Sequence, residues 1–519
     1  MARQYRRQFC LLWMAFALIA AGCSTVQEPS PALPTRPSTP VTQPVPAGTP
    51  GWQITHAGPP HGIEGFADTT SALPGTPVRL FVSTTARTYT VTAYRMGNYT
   101  GSEALQIWKS SPQPGGVQAG YVVQNPTSTV VAPWHPTLTL DTRDWPAGDY
   151  LLRLDGDNNT QQFVPLTIRA PSNKGRIVIV NAVTTWQAYN RWGGYSLYDS
   201  PSGSKARRSR AVSFDRPYQS QTMQGAGDFL YFELPFVLFA ERSGHRLGYA
   251  TDVDLATDPH LLDGAAAVIT LSHDEYWTAS MRNNVVTARD NGVNVAFLGG
   301  NDAYRHMRFG DSPVGPNRLE IDYKSFTEDP IHTTDPLAAT QEWRSPPNPR
   351  PESAMLGNYY QCNPVQADLV VAAPDNWLLH GLVSAGQHLP RMVGDEYNAI
   401  DLDVPTPRPI ESLFHSPVTC QHRSGFADVS YYAASSGAAV FAAGTEYWIC
   451  GLDPYCTRAN SPGDTTRRVM RAITTRLLDA YAAGPAGAKH PPADNLVALG
   501  LTKIPAPARP QLPVATVGG

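Results

Sequence analysis

Polar side chains able to transfer protons or to bind a cation follow three apolar runs of the sequence. His273 and Glu275 come directly after one run, Asn301 follows a second, and Tyr189 and Tyr198 lie in a loop after the third. Carboxylate and phenol oxygens suit a hard cation, and an imidazole or a carboxylate can act as an acid or a base. In open α/β sheets, ligands bind beyond the carboxyl ends of the strands, so we expect these side chains to meet at one edge.

The same residues also have purely structural interpretations. His273 and Glu275 precede an expected helix that starts near Thr278, and they could cap it. Asn301 follows Gly299-Gly300 and suits a left-handed loop position. An isolated loop tyrosine usually serves packing. Composition alone supports capping and catalysis equally.

The apolar runs predict strands that are buried on both faces, as in parallel sheets. Segments of helical length alternate with them, and a final helix is expected to start at Thr465 with Asp464 as its cap. This series favours an α/β domain with a parallel sheet, Rossmann-like or amidotransferase-like in architecture. The runs are residues 176–180, 265–271 and 293–298, and the earlier helices are residues 228–242 and 279–291.

Composition divides the chain into five segments. Short alternating runs broken by turns predict an immunoglobulin-like β-sandwich ahead of the α/β domain. A stretch rich in Pro, Thr and Ser cannot bury a core and predicts a tether, and a Pro- and Ala-rich end predicts a loose tail. The segments are a signal peptide at 1–22, the tether at 23–50, the sandwich at 51–169, the α/β domain at 175–483 and the tail at 484–519.

The first residues resemble a bacterial lipoprotein export signal. Basic residues, among them Arg6-Arg7, precede an apolar run that is too short for a membrane span, and the run ends in AAGC at 20–23. Cleavage before Cys23 and lipidation of its sulfur would anchor the chain at the outer face of the cell membrane. Ordinary signal cleavage with a free Cys23 is the alternative, and both the twin-arginine and the general export routes stay open.

Four cysteines remain when the signal and Cys23 are set aside. An even number in an exported chain predicts two disulfides, for which three connectivities are open. We favour Cys450–Cys456, because the glycine, aspartate and proline between them allow a tight turn, and this leaves Cys362–Cys420. No C-x-x-C spacing occurs, so a cysteine metal site is not expected.

The charge of the chain argues against a nucleic-acid partner. The formal net charge is −3 and 16% of the residues are charged, so no nucleic-acid partner is expected. One local basic run contains Lys205, Arg207, Arg208 and Arg210. We interpret it as a solvated loop, with anion binding as the alternative.

Together these residues resemble the family of the N,N-dimethylformamidase large (beta) subunit, in its C-terminal catalytic domain. The chain is interpreted as an exported lipoprotein member of that family. The resemblance covers about residues 175–483, and SHDEYW followed by LGGN is its specific part. The matching segments are TTWQAYNRWGGYSLYD (184–199), VSFDRPY (212–218), ELPFVLFAERSGHRLGYATDVDL (233–255), SHDEYW (272–277) and NVAFLGGN (294–301), with weaker support from GDEYNAI (394–400) and GTEYW (444–448).

The resemblance implies a mononuclear ferric centre held by two tyrosines and one glutamate. These ligands correspond to Tyr189, Tyr198 and Glu275, and His273 and Asn301 correspond to catalytic groups beside them. Fe³⁺ is a hard Lewis acid that would polarise an amide carbonyl and lower the pKa of a water molecule. His273 would then exchange a proton with the water or the leaving amine.

Two departures from the family pattern affect the expected site. The family has proline where this chain has Asp274, which adds a carboxylate. The two tyrosine motifs also lie closer together here than in the family, so Tyr195 competes with Tyr198 for the role of second phenol ligand.

The expected function is hydrolysis of a non-peptide amide C–N bond by an iron-dependent enzyme at the cell envelope. A small amide or an envelope-derived amide or glycan would be the substrate, and a separate small subunit or a homo-oligomer is a candidate partner. The alternative is a non-catalytic surface lipoprotein that keeps the fold and binds envelope glycan or protein.

Overall fold

A computed structural model describes residues 45–456 and 461–501 of the chain. The predicted signal peptide, Cys23 and most of the predicted tether lie outside the described residues. The described residues belong to one structural unit. Within the described ranges, no helix is both long enough and apolar enough to cross a membrane.

Two facing sheets build the N-terminal part of this unit. Its strands are β1 (Ile63–Ala67), β2 (Ser71–Ala72), β3 (Val78–Thr84), β4 (Thr88–Tyr99), β5 (Ser102–Lys109), β6 (Gln113–Pro114), β7 (Val122–Gln124), β8 (Thr129–Val131), β9 (Leu138–Leu140), β10 (Gly148–Gly156) and β11 (Thr160–Ile168). One sheet has the order β1-β3-β9, and the other has the order β2-β11-β10-β4-β5 with β6 beside β4. Leu80 on the first sheet and Leu152 on the second belong to one buried cluster, so the two sheets share a core.

Further strands and the helices of the described residues follow. The strands are β12 (Ile177–Asn181), β13 (Ala211–Ser213), β14 (Leu247–Thr251), β15 (Ala267–Ser272), β16 (Tyr276–Trp277), β17 (Asn294–Gly299), β18 (Arg305–His306), β19 (Arg308–Gly310), β20 (Leu319–Ile321), β21 (Gln341–Glu342), β22 (Tyr359–Cys362), β23 (Ala367–Val370), β24 (His388–Val393), β25 (Tyr397–Ala399), β26 (Ile410–Cys420), β27 (Arg423–Ala433) and β28 (Ala439–Ala442). The helices are α1 (Val183–Tyr189), α2 (Ser220–Met223), α3 (Phe229–Phe232), α4 (Leu234–Arg242), α5 (Asp252–Thr257), α6 (Ala279–Asp290), α7 (Ser353–Leu356), α8 (Asp464–Ala482) and α9 (Ala486–Lys489). Within the same residues, 3₁₀ turns lie at Trp192–Gly194, Lys205–Arg207, Pro330–Thr333 and Trp448–Gly451.

A seven-stranded mixed sheet carries the predicted site residues. Its order is β14-β12-β15-β17-β28-β27-β26. The strands β14, β12, β15, β17 and β28 pair in parallel, whereas β28, β27 and β26 pair antiparallel. All residues of β12, β15 and β17 are buried, because other layers cover both faces of the sheet.

The predicted fold class, a Rossmann-like or amidotransferase-like α/β domain with a parallel sheet, is wrong. In the described residues strands far outnumber helices, the largest sheet is mixed, and smaller two- and three-stranded sheets surround it. The three apolar runs are indeed strands. The residues from 300 to 433, however, form mainly short strands and the long hairpin β26–β27, which makes the molecule β-rich.

Two predicted helices differ in detail from the observed ones. The segment 228–242 forms two helices, α3 and α4, which meet at Glu233. Pro235 lies in the first turn of α4, where its missing amide proton costs no helical hydrogen bond. The final helix has Gly463 in the N-cap position, and Asp464 is its first residue.

The sandwich and the seven-stranded sheet are joined by a continuous core. Trp52 and Phe163 belong to the same buried cluster as Trp186 and Phe229. The sandwich therefore packs directly against the layer that contains helix α1 and its terminal residue Tyr189. The domain boundaries inferred from composition stay a prediction.

The described part of the C-terminal segment packs on the β26–β27 hairpin. The Tyr431 hydroxyl donates to the carbonyl of His490 at 2.6 Å, and the Ser412 amide donates to Asn495 Oδ1 at 2.9 Å. Leu496 is fully buried. Residues 484–501 are thus held by hydrogen bonds and apolar contacts.

Candidate metal and catalytic site

The loops after β15 and β17 run side by side and place the polar residues of both. The Ala303 amide donates to the Asp274 carbonyl at 2.7 Å, and the Arg305 amide donates to the Glu275 carbonyl at 2.8 Å. A Cβ at Gly299 would lie 2.5 Å from the Ser272 carbonyl oxygen, so only glycine permits this approach of the two backbones.

Tyr189, Tyr198 and Glu275 form a compact group of oxygen atoms, called here the phenol–carboxylate group. The Tyr189 and Tyr198 hydroxyls are 3.0 Å apart, and they donate to Glu275 Oε2 at 2.9 and 2.8 Å. Tyr189 ends helix α1, Tyr198 lies in the following loop, and Glu275 follows β15. Tyr195, the competing tyrosine, packs instead against a cluster that contains Trp192.

An arginine, a lysine and a third phenol surround the phenol–carboxylate group. Arg305 Nε lies 3.5 Å from Glu275 Oε1, and Lys324 Nζ lies 3.1 Å from the centre of the Tyr198 ring. The Tyr276 hydroxyl donates to the Tyr198 hydroxyl at 2.7 Å. Burial by itself would raise the pKa of Glu275, but the nearby positive charges hold that pKa below its ordinary value. Glu275 is therefore an anion at neutral pH.

The donor set of the phenol–carboxylate group fits a hard trivalent cation. Burial of the hydroxyls, followed by the charge of Glu275, raises the pKa of Tyr189 and of Tyr198 well above 10. A phenol in such surroundings loses its proton only to a strongly charged partner. The two hydroxyl oxygens and Glu275 Oε2 lie within 3.0 Å of one another. A metal ion that displaced the hydroxyl protons could bind all three oxygens at once.

His273 lies between three carboxylates, and of these only Glu275 was predicted from the sequence as a site residue. Its Nε2 is 3.6 Å from Glu275 Oε2 and 4.0 Å from Glu396 Oε2, and its Nδ1 is 3.7 Å from Glu446 Oε1. Burial would lower the pKa of His273, but Glu446, Glu396 and Glu275 together raise it to about 9. Among the described residues, His273, Glu396 and Glu446 are also the one His/Cys/Asp/Glu group that could hold a metal ion, with donor atoms within 4.8 Å.

Glu396 is held in place by a disulfide-braced turn. Asn363 Nδ2 donates a short hydrogen bond to Glu396 Oε1, while burial raises the pKa of Glu396 to about 8. Cys362, next to Asn363, is linked to Cys420. The second disulfide joins Cys450 to Cys456, and this connectivity is the one favoured from the sequence.

Asn301 lies at the same edge, in a left-handed backbone conformation with a φ of 60°. Its amide donates to Asn398 Oδ1 at 2.9 Å, and its own Oδ1 is buried with no hydrogen-bond partner in the described residues. A Cβ at the preceding Gly300 would lie 3.1 Å from the Glu396 carbonyl oxygen and 3.2 Å from the Glu446 amide nitrogen. The two further carboxylates and Asn301 thus belong to one neighbourhood.

Asp274, the carboxyl that departs from the family pattern, takes no part in the hydrogen bonds of the phenol–carboxylate group. Its side chain is fully buried, and neither carboxyl oxygen has a hydrogen-bond partner in the described part of the chain. Burial, reinforced by Asp252 and Asp302, raises the pKa of Asp274 well above its ordinary value. These surroundings favour the neutral form of the carboxyl.

Comparison with known proteins identifies the family. The family model described as N,N-dimethylformamidase beta subunit-like, C-terminal, matches residues 90–462, and the chain belongs to this family. The match begins in strand β4 of the sandwich, whereas the resemblance seen in the sequence motifs begins at about residue 175. It places the chain with dimethylformamidase-like hydrolases.

Other comparisons add little. No curated protein matches the chain by sequence. Among solved structures, a cycloisomaltooligosaccharide glucanotransferase of Paenibacillus sp. complexed with cycloisomaltoheptaose is 10% identical, with a TM-score of 0.14. The match covers 24% of this chain and 17% of that one, and it supports no conclusion about fold or function.

Proposed function

We propose that the chain is an iron-dependent hydrolase of non-peptide amide C–N bonds. The observation that supports this is the phenol–carboxylate group, found in a chain of the N,N-dimethylformamidase beta subunit-like family. Tyr189, Tyr198 and Glu275 would hold Fe³⁺, because two phenolates and one carboxylate balance its charge and are hard oxygen donors. When bound, the ion supplies Lewis-acid chemistry toward an amide carbonyl and a water molecule.

His273 is the group that we expect to move a proton. Its Nδ1 faces Glu446, and its Nε2 has no hydrogen-bond partner in the residues that the structure describes. The Nε2 atom also lies on the side of Glu275, at 3.6 Å from its Oε2. Because its pKa is raised to about 9, His273 carries its proton at neutral pH, so we expect it to donate a proton to the leaving amine and to recover one from the attacking water.

Glu396 and Asn301 have orienting roles in this proposal. Glu396 Oε2 and Asn301 Oδ1 are buried oxygens that no described residue satisfies. A water molecule or an amide N–H group between them and His273 would complete their hydrogen bonds. Binding there would be favourable, because a buried polar atom without a partner costs free energy. Orientation of the attacking water is thus assigned to these two side chains.

Metal content and hydrolysis together test the proposal. Purified protein should contain about one iron per chain and release amine from some members of a panel of small and envelope-derived amides. Glu275→Gln should lose both iron and activity, because an amide is a poor ferric ligand. Glu320→Gln is the matched control: Glu320 is equally buried, lies on strand β20 and is outside the phenol–carboxylate group.

Two outcomes would refute the assignment. Full iron and full activity in Glu275→Gln would place the site elsewhere. Iron-loaded wild-type protein that hydrolyses no amide in the panel would remove the enzymatic function and favour the non-catalytic alternative.

We also propose that the chain is exported and anchored by a lipid on Cys23. The AAGC segment at 20–23 supports this, and two disulfides suit an oxidising compartment. An anchored enzyme would meet small amides that enter the envelope, or amides of the envelope itself. A separate small subunit or a second copy of the chain is proposed as the partner.

A further inference from the structure

A basic surface cleft lies beside the loop that carries Tyr198. Its volume is about 390 Å³. Three arginines, Arg207, Arg208 and Arg210, line it together with two tyrosines, Tyr195 and Tyr323. We call this site the arginine cleft. The arginines belong to the basic run that the sequence analysis interpreted as a solvated loop.

Positive charge in the arginine cleft exceeds negative charge. Glu328 is the one acidic lining residue, and it pairs with Arg210 at 3.2 Å. Arg207 makes no ion pair within the described ranges of the chain. Burial, followed by repulsion from Arg210, lowers the pKa of Arg208. Such an uncompensated group of cations attracts anions.

The protein itself fixes two of the three guanidinium groups, those of Arg208 and Arg210. Arg208 Nη2 donates to the Tyr323 carbonyl at 2.7 Å, and Arg210 Nη1 donates to the Arg208 carbonyl at 2.8 Å. Each guanidinium has five N–H donors, so several remain for a ligand. Pre-oriented guanidinium groups suit the paired oxygens of a carboxylate or a phosphate.

The two tyrosines give the cleft a second kind of contact. Tyr195 and Tyr323 are both half-buried, which leaves part of each ring accessible at the lining. Aromatic faces offer apolar area of a size that suits a sugar ring. A cleft of this volume accommodates one sugar residue, whereas a bare oxyanion would fill only part of it.

We propose that the arginine cleft binds a sugar that carries an oxyanion, either a sugar acid or a sugar phosphate. The arginines would bind the oxyanion and the tyrosines would pack on the ring. Iron and amide hydrolysis are not required for this binding. The cleft is nevertheless connected to Tyr198: the Ser209 amide donates to the Ser196 carbonyl at 2.9 Å, and Lys324, next to Tyr323, lies over the Tyr198 ring.

Isothermal titration calorimetry on the whole purified chain tests the proposal. The probes are glucuronate, glucose 6-phosphate, inorganic phosphate and uncharged glucose. We expect at least one of the two charged sugars to bind, glucose not to bind, and inorganic phosphate to bind about tenfold more weakly than the better sugar. Added salt should weaken the binding.

Variants locate the binding to the cleft. Arg207→Ala should weaken it about tenfold, the effect of losing one charge-assisted hydrogen-bonding group. Arg207 is exposed, so its replacement leaves the fold intact. The control is Arg87→Ala, which removes a surface arginine whose side chain is 94% exposed, from a strand turn of the sandwich.

The results that would overturn the proposal are distinct. Absence of binding by both charged sugars excludes the site. If Arg87→Ala weakens sugar binding as much as Arg207→Ala does, or if Arg207→Ala does not weaken it, the sugar binds outside the cleft. Phosphate that binds as tightly as the sugars shows a site for a bare oxyanion and removes the sugar. None of these results depends on whether the chain contains iron.

Discussion

Replacing Tyr198 with Phe removes one hydroxyl of the phenol–carboxylate group and keeps the ring. That hydroxyl lies 2.8 Å from Glu275 Oε2, 3.0 Å from the Tyr189 hydroxyl and 2.7 Å from the Tyr276 hydroxyl. If Tyr189 and Tyr198 both bind Fe³⁺, each contributes to the visible phenolate-to-iron absorption. The variant should therefore show about half the absorbance per bound iron, because one of two phenolates remains.

In Tyr198→Phe, the affinity for iron should fall more than it would on loss of a residue that only supports a metal ligand. Groups that only support a metal ligand typically contribute about 10- to 100-fold to affinity. Loss of Tyr198 as a direct ligand should exceed about 100-fold on that scale. Tyr276→Phe is the matched control, since it removes the hydroxyl that donates to Tyr198 without removing a ligand. It should keep the full absorbance per iron and lose about 1 kcal/mol of stability with its hydrogen bond.

Three measurements on wild type and both variants decide the matter. Iron per chain comes from elemental analysis, the charge-transfer band comes from the visible spectrum, and thermal unfolding reports on the fold. A Tyr198→Phe protein with wild-type absorbance per iron would remove Tyr198 from the ligand set. Equal losses in both variants would show that the hydroxyl network as a whole, and not one phenolate, governs iron binding.

Further predictions concern proton transfer, anchoring and pH. His273→Gln should lower amine release by about 10²- to 10⁴-fold while iron content is kept, and unchanged turnover would exclude His273 as the proton-transfer group. Cys23→Ala should move the protein from the membrane fraction to the soluble fraction; retention of a processed product in the membrane would contradict lipidation. Burial, with nearby arginines, lowers the pKa of His306 from 6.5 to about 4. The unfolded chain therefore binds this proton first, so about 3 kcal/mol of stability is lost as pH falls from 6.5 to 4. Urea unfolding across this range should show a smaller loss in His306→Gln, and an unchanged loss would refute this origin.

Local pattern was enough to find the strands but not the fold class. The runs at 176–180, 265–271 and 293–298 are strands because runs made mostly of apolar residues need cover on both faces. The class depends on pairings between distant residues. The β26–β27 hairpin joins the sheet through β28, and nothing in its own residues indicates that partner.

Only part of the candidate site could be predicted from the sequence, because some of its residues are brought together only by the fold. His273 and Glu275 are near neighbours in the chain, so one motif presents both. Glu396 and Glu446 reach His273 only through the fold, although the segments GDEYNAI and GTEYW contained them. Lys324 had no sequence signal, because its contact with Tyr198 arises from a turn far along the chain.

The close passage of the backbone at Gly299 past Ser272 has a consequence for engineering. Since position 299 tolerates no Cβ while the carbonyl of residue 272 lies there, neither loop can change its path independently of the other. A chimaera that imports the 272–277 loop from a relative should fold only when the 299–305 loop comes from the same parent. The two loops should therefore be exchanged together, and we expect their sequences to vary together among relatives.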